Sequence, residues 1–337
     1  MSRYNVYGIG NALVDKEFLV DDSFFAENGI KKGFMTLIDE HQQNQLLEHL
    51  HLRYGLCKRA GGGSAANTLY ALSQFGGQAF YSCKVANDEA GDYYVSELGN
   101  HNIKTNLAHN REDGITGRCL VMVTPDAERT MLTHLGISQD VSRAEIRADA
   151  LKQAEFVYIE GYLVTSDTAR DAAIALKTQA EAAGVKTAFT FSDPSMLEYF
   201  RHGVDEVLGS TGVDLLFCNE KEALAWSAAA DIEAAGRKLE KVARQFVITL
   251  GARGARVYDG EKYISVDASP VRAIDTNGAG DMFAGAFLYG ITHGYNMHAS
   301  ATLASMAAGT IVSHIGPRLT PEQHQDILEQ FTRKHRL

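Results

Sequence analysis

Cysteine is sparse. The four residues, Cys57, Cys83, Cys119 and Cys218, form no CxxC pair, and no Cys/His cluster has zinc spacing. That sets aside a disulfide framework or a structural zinc, and four reduced thiols of a cytoplasmic protein are expected. Proline is also rare, 5 residues against 31 glycines, which suits regular elements joined by tight turns. Long apolar runs are missing. The richest stretch, Ala299 to Val312, is too short to span a bilayer and reads as a buried helix. The start, MSRYNVYGIGNALVD, carries no apolar signal-peptide core. Positive charge is in deficit, with 32 Lys+Arg against 42 Asp+Glu and a net charge of −10. Duplex nucleic acid is then a poor default partner, because phosphate binding needs a basic face. A small basic pocket for a phosphorylated ligand stays compatible. No segment reads GxxxxGK followed by Ser or Thr, so the chain has no P-loop.

The chain has 337 residues, 22% charged and 45% hydrophobic, the balance of a folded protein with one large α/β domain or about two domains. Roughly 75% of the unfolded surface is buried at this size. A strand at Tyr4 to Gly10 is followed at once by a second apolar run, Leu13 to Val20. Two strands so close do not begin a simple βαβ unit, so the chain leaves the main sheet early. Gly33 to Ile38 is a further short strand, and His41 to Leu50 a polar helix. Gly61-Gly62-Gly63 opens a helix from Ser64 to Phe75, then come strand Ala79 to Cys83 and helix Glu89 to Gly99.

Residues 104 to 135 are β-rich, and with 11 to 38 they predict a small sheet beside the main domain. From 143 onward strands FVYIE, KTAFTF, DLLFC and FVITL alternate with amphipathic helices, which predicts a parallel sheet covered on both faces. Arg256 to Val266 is a hairpin turning at Asp259-Gly260, and the chain is helical from Gly280 on.

Ligands of open α/β sheets bind beyond the carboxyl ends of the strands. The strongest candidate there is Asp275-Thr276-Asn277-Gly278-Ala279-Gly280-Asp281. A Gly-Ala-Gly turn leaves N–H groups unhindered, a helix starts at the same place, and Asp281 lies in its first turn. The turn makes an anion hole, and Asp281 supplies a general base beside it. Phosphoryl transfer needs that pair; a glycine turn with a capping acid needs no ligand. GGGSAAN (61–67) lacks a phosphate-binding Lys and suits a neutral polar ligand such as a sugar, with Asn67 as donor and acceptor, or a plain packing turn.

Gly8-Ile9-Gly10-Asn11 follows strand one, but Leu13 stands where a third glycine would be, so nicotinamide binding is disfavoured. Asn11 and Asp15 read as hydroxyl-binding groups. Asn219 and Glu222, after DLLFC, suit a hydrated Mg²⁺ or a helix N-terminus. Thr249, Gly251 and Gly254 form a turn able to hold a nucleotide or simply to connect a hairpin. Arg129, in the β-rich excursion, reaches a transferring phosphoryl group if that excursion is a movable lid.

In order, GIGNALVD, GGGSAAN, ERTMLTHLG, NEKE, TLGARGA and DTNGAGDMFAGAF resemble the PfkB (ribokinase-like) family of carbohydrate and nucleoside kinases over nearly the whole chain. The resemblance implies a doubly wound α/β domain with a small β lid, residues 1–337 forming one unit, and ATP with Mg²⁺ as co-substrate and cofactor. It implies Asp281 as base and Gly278, Ala279 and Gly280 as anion hole. Asn11, Asp15, Gly62, Gly63 and Asn67 would hold the acceptor's hydroxyls. Asn219 and Glu222 would order Mg²⁺ through water, and Thr249, Gly251 and Gly254 would contact ATP. Asp275 and Thr276 lie where many members place a monovalent cation, K⁺ for example.

The start GIGNALVD, with Asn after the second Gly, is more similar to adenosine kinases than to fructokinases. Leu135 and Tyr162 match the apolar and aromatic positions that flank the purine there. The Ala-Ala of GGGSAAN departs from animal adenosine kinases and keeps ribose, fructose or a related sugar open as acceptor. A non-catalytic sensor of the same fold would have no need of Asp281. A monomer and a homodimer joined through its lids are both compatible with the sequence.

Overall fold

A computed structural model describes residues 3–107 and 111–334. In chain order the first strands are β1 (Tyr4–Ile9), β2 (Leu13–Leu19), β3 (Met35–Leu37), β4 (Lys58–Gly62), β5 (Ala79–Ser82), β6 (Ile103–Thr105), β7 (Gly117–Val123) and β8 (Arg129–His134). They are followed by β9 (Ala154–Ile159), β10 (Lys186–Thr190), β11 (Val213–Asn219), β12 (Ala243–Thr249), β13 (Ala255–Tyr258) and β14 (Tyr263–Val266).

Nine strands form the large sheet, in the order β14-β13-β12-β11-β10-β9-β1-β5-β6. From β6 to β12 every neighbouring pair is parallel, and the β13–β14 hairpin adds two antiparallel strands at one edge. The buried runs of β9 to β12 are mostly apolar, as strands covered by helices on both faces require, and the sheet divides the core into two apolar layers. After β1 the chain builds β5 and β6 on one side. It then returns to lay β9 on the other. The carboxyl ends of β1 and β9 therefore flank a topological switch point, where a crevice opens in such sheets.

The small sheet is mixed, in the order β3-β8-β7-β2-β4. Its outer face packs Phe18, Leu120, Met122 and Leu132 against Phe24, Phe25 and Leu50 of helices Asp22–Asn28 and Glu40–Arg53. The period of two then turns Asp15, Cys119, Thr133 and Met131 to the inner face, where Asp15 lies opposite Cys119 and Cys119 opposite Thr133. That face looks toward the carboxyl end of the large sheet.

The small sheet draws on more than the two expected segments. KRAGG at Lys58–Gly62 shows no apolar alternation, and the sequence pattern assigns only its two glycines, to the turn before the next helix. It is a strand because β2 pairs with it from Leu13↔Gly62 to Glu17↔Lys58. Ile103–Thr105, at the head of the expected 104–135 segment, instead joins the large sheet beside β5. Residues 108–110 of that segment lie outside the described residues. Cys57 is exposed, and the other three cysteines are buried and free. Among the described residues no helix is long and apolar enough to cross a membrane.

Candidate active site

Between the two sheets lies a cavity of about 520 Å³, within the range of small-molecule sites. One wall begins where β1 ends. Asn11 is buried, and its backbone N–H donates to Glu160 Oε1 at 3.2 Å. Gly63 follows β4 with φ +94°, and a Cβ there would sit 2.0 Å from the Asn11 carbonyl oxygen. Only glycine lets these two segments approach so closely. The helix Ser64–Gln74 starts at this contact, and the Ala65 N–H donates to Glu160 Oε2 at 2.8 Å.

The facing wall is the start of helix Ala279–Thr292. Gly278 has φ +72° and supplies no side-chain cap. The Ala279 N–H donates to the Thr276 carbonyl at 3.3 Å, whereas those of Gly280 and Asp281 meet no acceptor among the described residues. A Cβ on Gly280 would meet nothing within 4 Å, so the turn is open to the cavity. Uncapped N–H groups at a helix start form an anion site. Across the expected Gly278–Gly280 hole and Asp281, the N–H groups of Gly278, Gly280 and Asp281 are free among the described residues, while that of Ala279 bonds back to Thr276.

The Asp281 carboxylate accepts from Ser64 Oγ at 2.6 Å and from Asn67 Nδ2 at 3.3 Å. Burial raises its pKa, and Ser64, Arg129, Asn67 and Arg318 pull it back. Asp15 projects from β2 into the same space. Burial pushes it up to about 7, against the attraction of Arg318.

Arg129, at the head of β8, lies inside the cavity and is not a solvated surface cation. Burial works against its charge, but Tyr162, Asp193 and Asp281 stand around it and raise its pKa. Leu135 and Tyr162 line the cavity with Leu13, Met35 and Met131, which make its small-sheet side largely apolar. At the far end Asn219 caps the helix Glu220–Ser227 in a reciprocal box with Glu222, Asn219 Nδ2 donating to Glu222 Oε1 at 2.6 Å. Burial lifts Glu222 to about 8, aided by Asp193 and Asp281 and opposed by Arg129 and the Asn219 N–H. Thr249 and Gly251 line this end too.

Three expected residues are outside the lining. A Cβ on Gly62 would fall 2.1 Å from Asp15 Oδ1, so this glycine makes room for the carboxylate. Gly254 has φ +85°, and its Cβ would meet the Val266 carbonyl at 1.9 Å; it serves the hairpin. Asp275 is fully buried, accepting from the N–H groups of Asn277 and Gly316. Thr276 does line the cavity, and its hydroxyl donates to the Ala127 carbonyl of the small-sheet hairpin at 2.9 Å.

Two residues escaped the sequence reading. Glu160, at the carboxyl end of β9, is pushed up to about 8 by burial, against the donations from Ala65 and Asn11. An acid directly after a central strand was the available signal. Arg318 donates from Nε to Asn67 Oδ1 at 2.9 Å and from Nη1 to Glu97 Oε1 at 2.7 Å. Nothing local marks it, for it lies in the loop before helix Pro321–Lys334.

A buried carboxylate beside open helix-start N–H groups, at a switch point and under a second sheet, suits phosphoryl transfer. The model of the pfkB family of carbohydrate kinases matches residues 38–324. The chain belongs to this family. It is a phosphotransferase with an alcohol group as acceptor. Among solved structures, the adenosine kinase from Sinorhizobium meliloti is 34% identical, with a TM-score of 0.91 and 99% of each chain covered. A probable sugar kinase from Rhizobium etli CFN 42 is 31% identical, with the same TM-score of 0.91 and 99% of each chain covered. The adenosine kinase of Saccharomyces cerevisiae is 26% identical over 94% of this chain and 96% of its own. The pfkB-family relatives thus carry both nucleoside and sugar names.

Proposed function

We propose that this pfkB kinase transfers the γ-phosphoryl group of ATP to the primary 5′-hydroxyl of a nucleoside, adenosine foremost. The observation that carries the reading is a polar end and an apolar end in one cavity. Asn11, Asp15 and Asn67 cluster beside Asp281, suited to vicinal hydroxyls. Beyond them Leu13, Met35, Met131 and Leu135 with Tyr162 offer a flat apolar slot suited to a base.

Asp281 takes the proton of the acceptor hydroxyl. The alkoxide oxygen forms a bond to the γ-phosphorus as the bond to the β-phosphate oxygen breaks, and ADP departs. The N–H groups of Gly280 and Asp281 and the Arg129 guanidinium face the charge that spreads over the transferred group. Mg²⁺, when bound, shields the phosphates. Asn219 and Glu222, which bring oxygens to that end of the cavity, would hold it through water. Closing the small sheet over the cavity excludes water as a competing acceptor, with Thr276 tying the small-sheet hairpin at Ala127 to the loop before helix Ala279–Thr292.

A sugar acceptor is the second reading. It is favoured by the same hydroxyl-binding group, which needs no base to be filled. ADP release with ATP, Mg²⁺ and equal concentrations of adenosine, inosine, guanosine, ribose and fructose separates the two. Adenosine turning over far faster than ribose supports a base-reading slot. Ribose or fructose winning would remove the nucleoside reading.

A further inference from the structure

Arg318 lies behind the cavity and does not line it, yet it is wired to the reacting end. It is 8% exposed. Its guanidinium stacks on Tyr70, 4.8 Å from the ring centroid. Its Nε–H holds Asn67 Oδ1 at 2.9 Å, and Asn67 Nδ2 in turn donates to Asp281 Oδ2 at 3.3 Å. On the other side Glu97 holds Arg318 Nη1 at 2.7 Å, and its second oxygen accepts from the Gly61 N–H at 2.6 Å. The Nη2 atom is buried without a partner among the described residues, so the guanidinium's bonds are those to Asn67 and Glu97.

An Asn amide has two faces of opposite polarity. A fixed cationic donor on the oxygen leaves one orientation, with the NH₂ turned to the carboxylate. We propose that Arg318 is a positioning residue that locks the Asn67 amide, so that Asp281 meets a donor and stays ionised as base. The proposal rests on the assignment of Asp281 as base. Glu97 fixes Arg318 and ties the same network to the Gly61–Gly63 turn.

Other charges also face Asp281. Arg129 is the second cation, while Asp15, Glu160 and Glu222 are carboxyls and Tyr158 and Tyr162 phenols nearby. Burial disfavours ionisation of Asp281 and the two cations oppose it, which makes loss of either cation visible. The sign is fixed: a base must be deprotonated, and removing a cation raises its pKa. The acidic limb of the kcat/KM profile then moves to higher pH.

The test uses the full-length protein with ATP, Mg²⁺ and whichever acceptor turns over best in the panel above. Arg318→Gln should raise the acceptor KM about tenfold and move the acidic limb upward by roughly half a unit or more, with the ATP KM unchanged. Arg318→Lys keeps the charge but cannot span Asn67 and Glu97. It should restore most of the limb and leave the acceptor KM high. In an Asn67→Ala background, Arg318→Gln should add little to the acceptor KM, because the route runs through Asn67.

Thermal melts establish that each variant is folded. Glu97→Gln, which leaves the guanidinium in place with a weakened anchor, gives an intermediate KM if Arg318→Gln fails to fold. A folded Arg318→Gln enzyme with wild-type acceptor KM and limb overturns the proposal, as do effects fully additive with Asn67→Ala. Asp281→Asn retaining turnover would instead overturn the assignment of the base.

Discussion

Replacing Asp281 with Asn separates chemistry from structure. In the wild type Oδ1 accepts from Ser64 Oγ at 2.6 Å and Oδ2 from Asn67 Nδ2 at 3.3 Å. Asn at 281 keeps an acceptor for Ser64 but sets its own NH₂ against that of Asn67. Asn67 cannot turn over freely, because Arg318 donates to its oxygen at 2.9 Å. One lost hydrogen bond and one unpaired donor cost about 1–3 kcal/mol. Relief from burying an anion offsets this, so the net change in stability should stay within about 1 kcal/mol. The kinetic loss is larger. Removing a general base costs about 10²–10⁴ in rate, or roughly 3–5 kcal/mol of barrier. Acceptor affinity should change less than about threefold if Asp281 acts mainly in the transition state. Coupled ADP release gives kcat, calorimetric titration gives the acceptor Kd, and a thermal melt reports the fold. A folded variant with kcat within tenfold of wild type would refute the assignment.

Four more outcomes follow from the geometry. Gly63→Ala forces a side chain at φ +94° and 2.0 Å from a carbonyl, so chemical denaturation should show a loss of about 2–4 kcal/mol. Gly280→Ala meets open space and should leave stability unchanged, yet its methyl intrudes on the anion hole and should raise the ATP KM or lower kcat at least tenfold. The folded-state pKa values of Asp15, near 7, and of Glu160 and Glu222, near 8, exceed their unfolded values. Between about pH 4 and 8 the native state thus binds more protons than the unfolded chain, and ligand-free stability falls as pH rises; melting temperatures across that range check it, and Glu160→Gln should flatten the slope. Leu135→Ala opens the apolar slot and should lower the preference for adenosine over ribose at least fivefold in kcat/KM, read in competition assays.

Much of the large domain was legible from local pattern. The strands β9 to β12 are apolar-rich and alternate with amphipathic helices, and that order alone implies a parallel sheet. Gly278 to Asp281 carried its chemistry locally too, because a glycine turn, a helix start and an acid in the first turn are neighbours in sequence. The pattern at Lys58–Gly62 was not legible. KRAGG has no alternation and becomes a strand only because β2 pairs with it.

Local pattern carried most strands of the large sheet, the family resemblance and the placing of Asp281 in the first turn of a helix after a glycine turn. Only the fold sets what surrounds that carboxylate. Glu160 joins Asn11 and Ala65 across separations of 149 and 95 residues, and Arg318 reaches Asn67 across 251. No periodicity or local motif carries information over such spans. The raised pKa values of Asp15, Glu160 and Glu222 have the same origin. Desolvation depends on what the fold packs around a carboxyl, not on its neighbours along the chain.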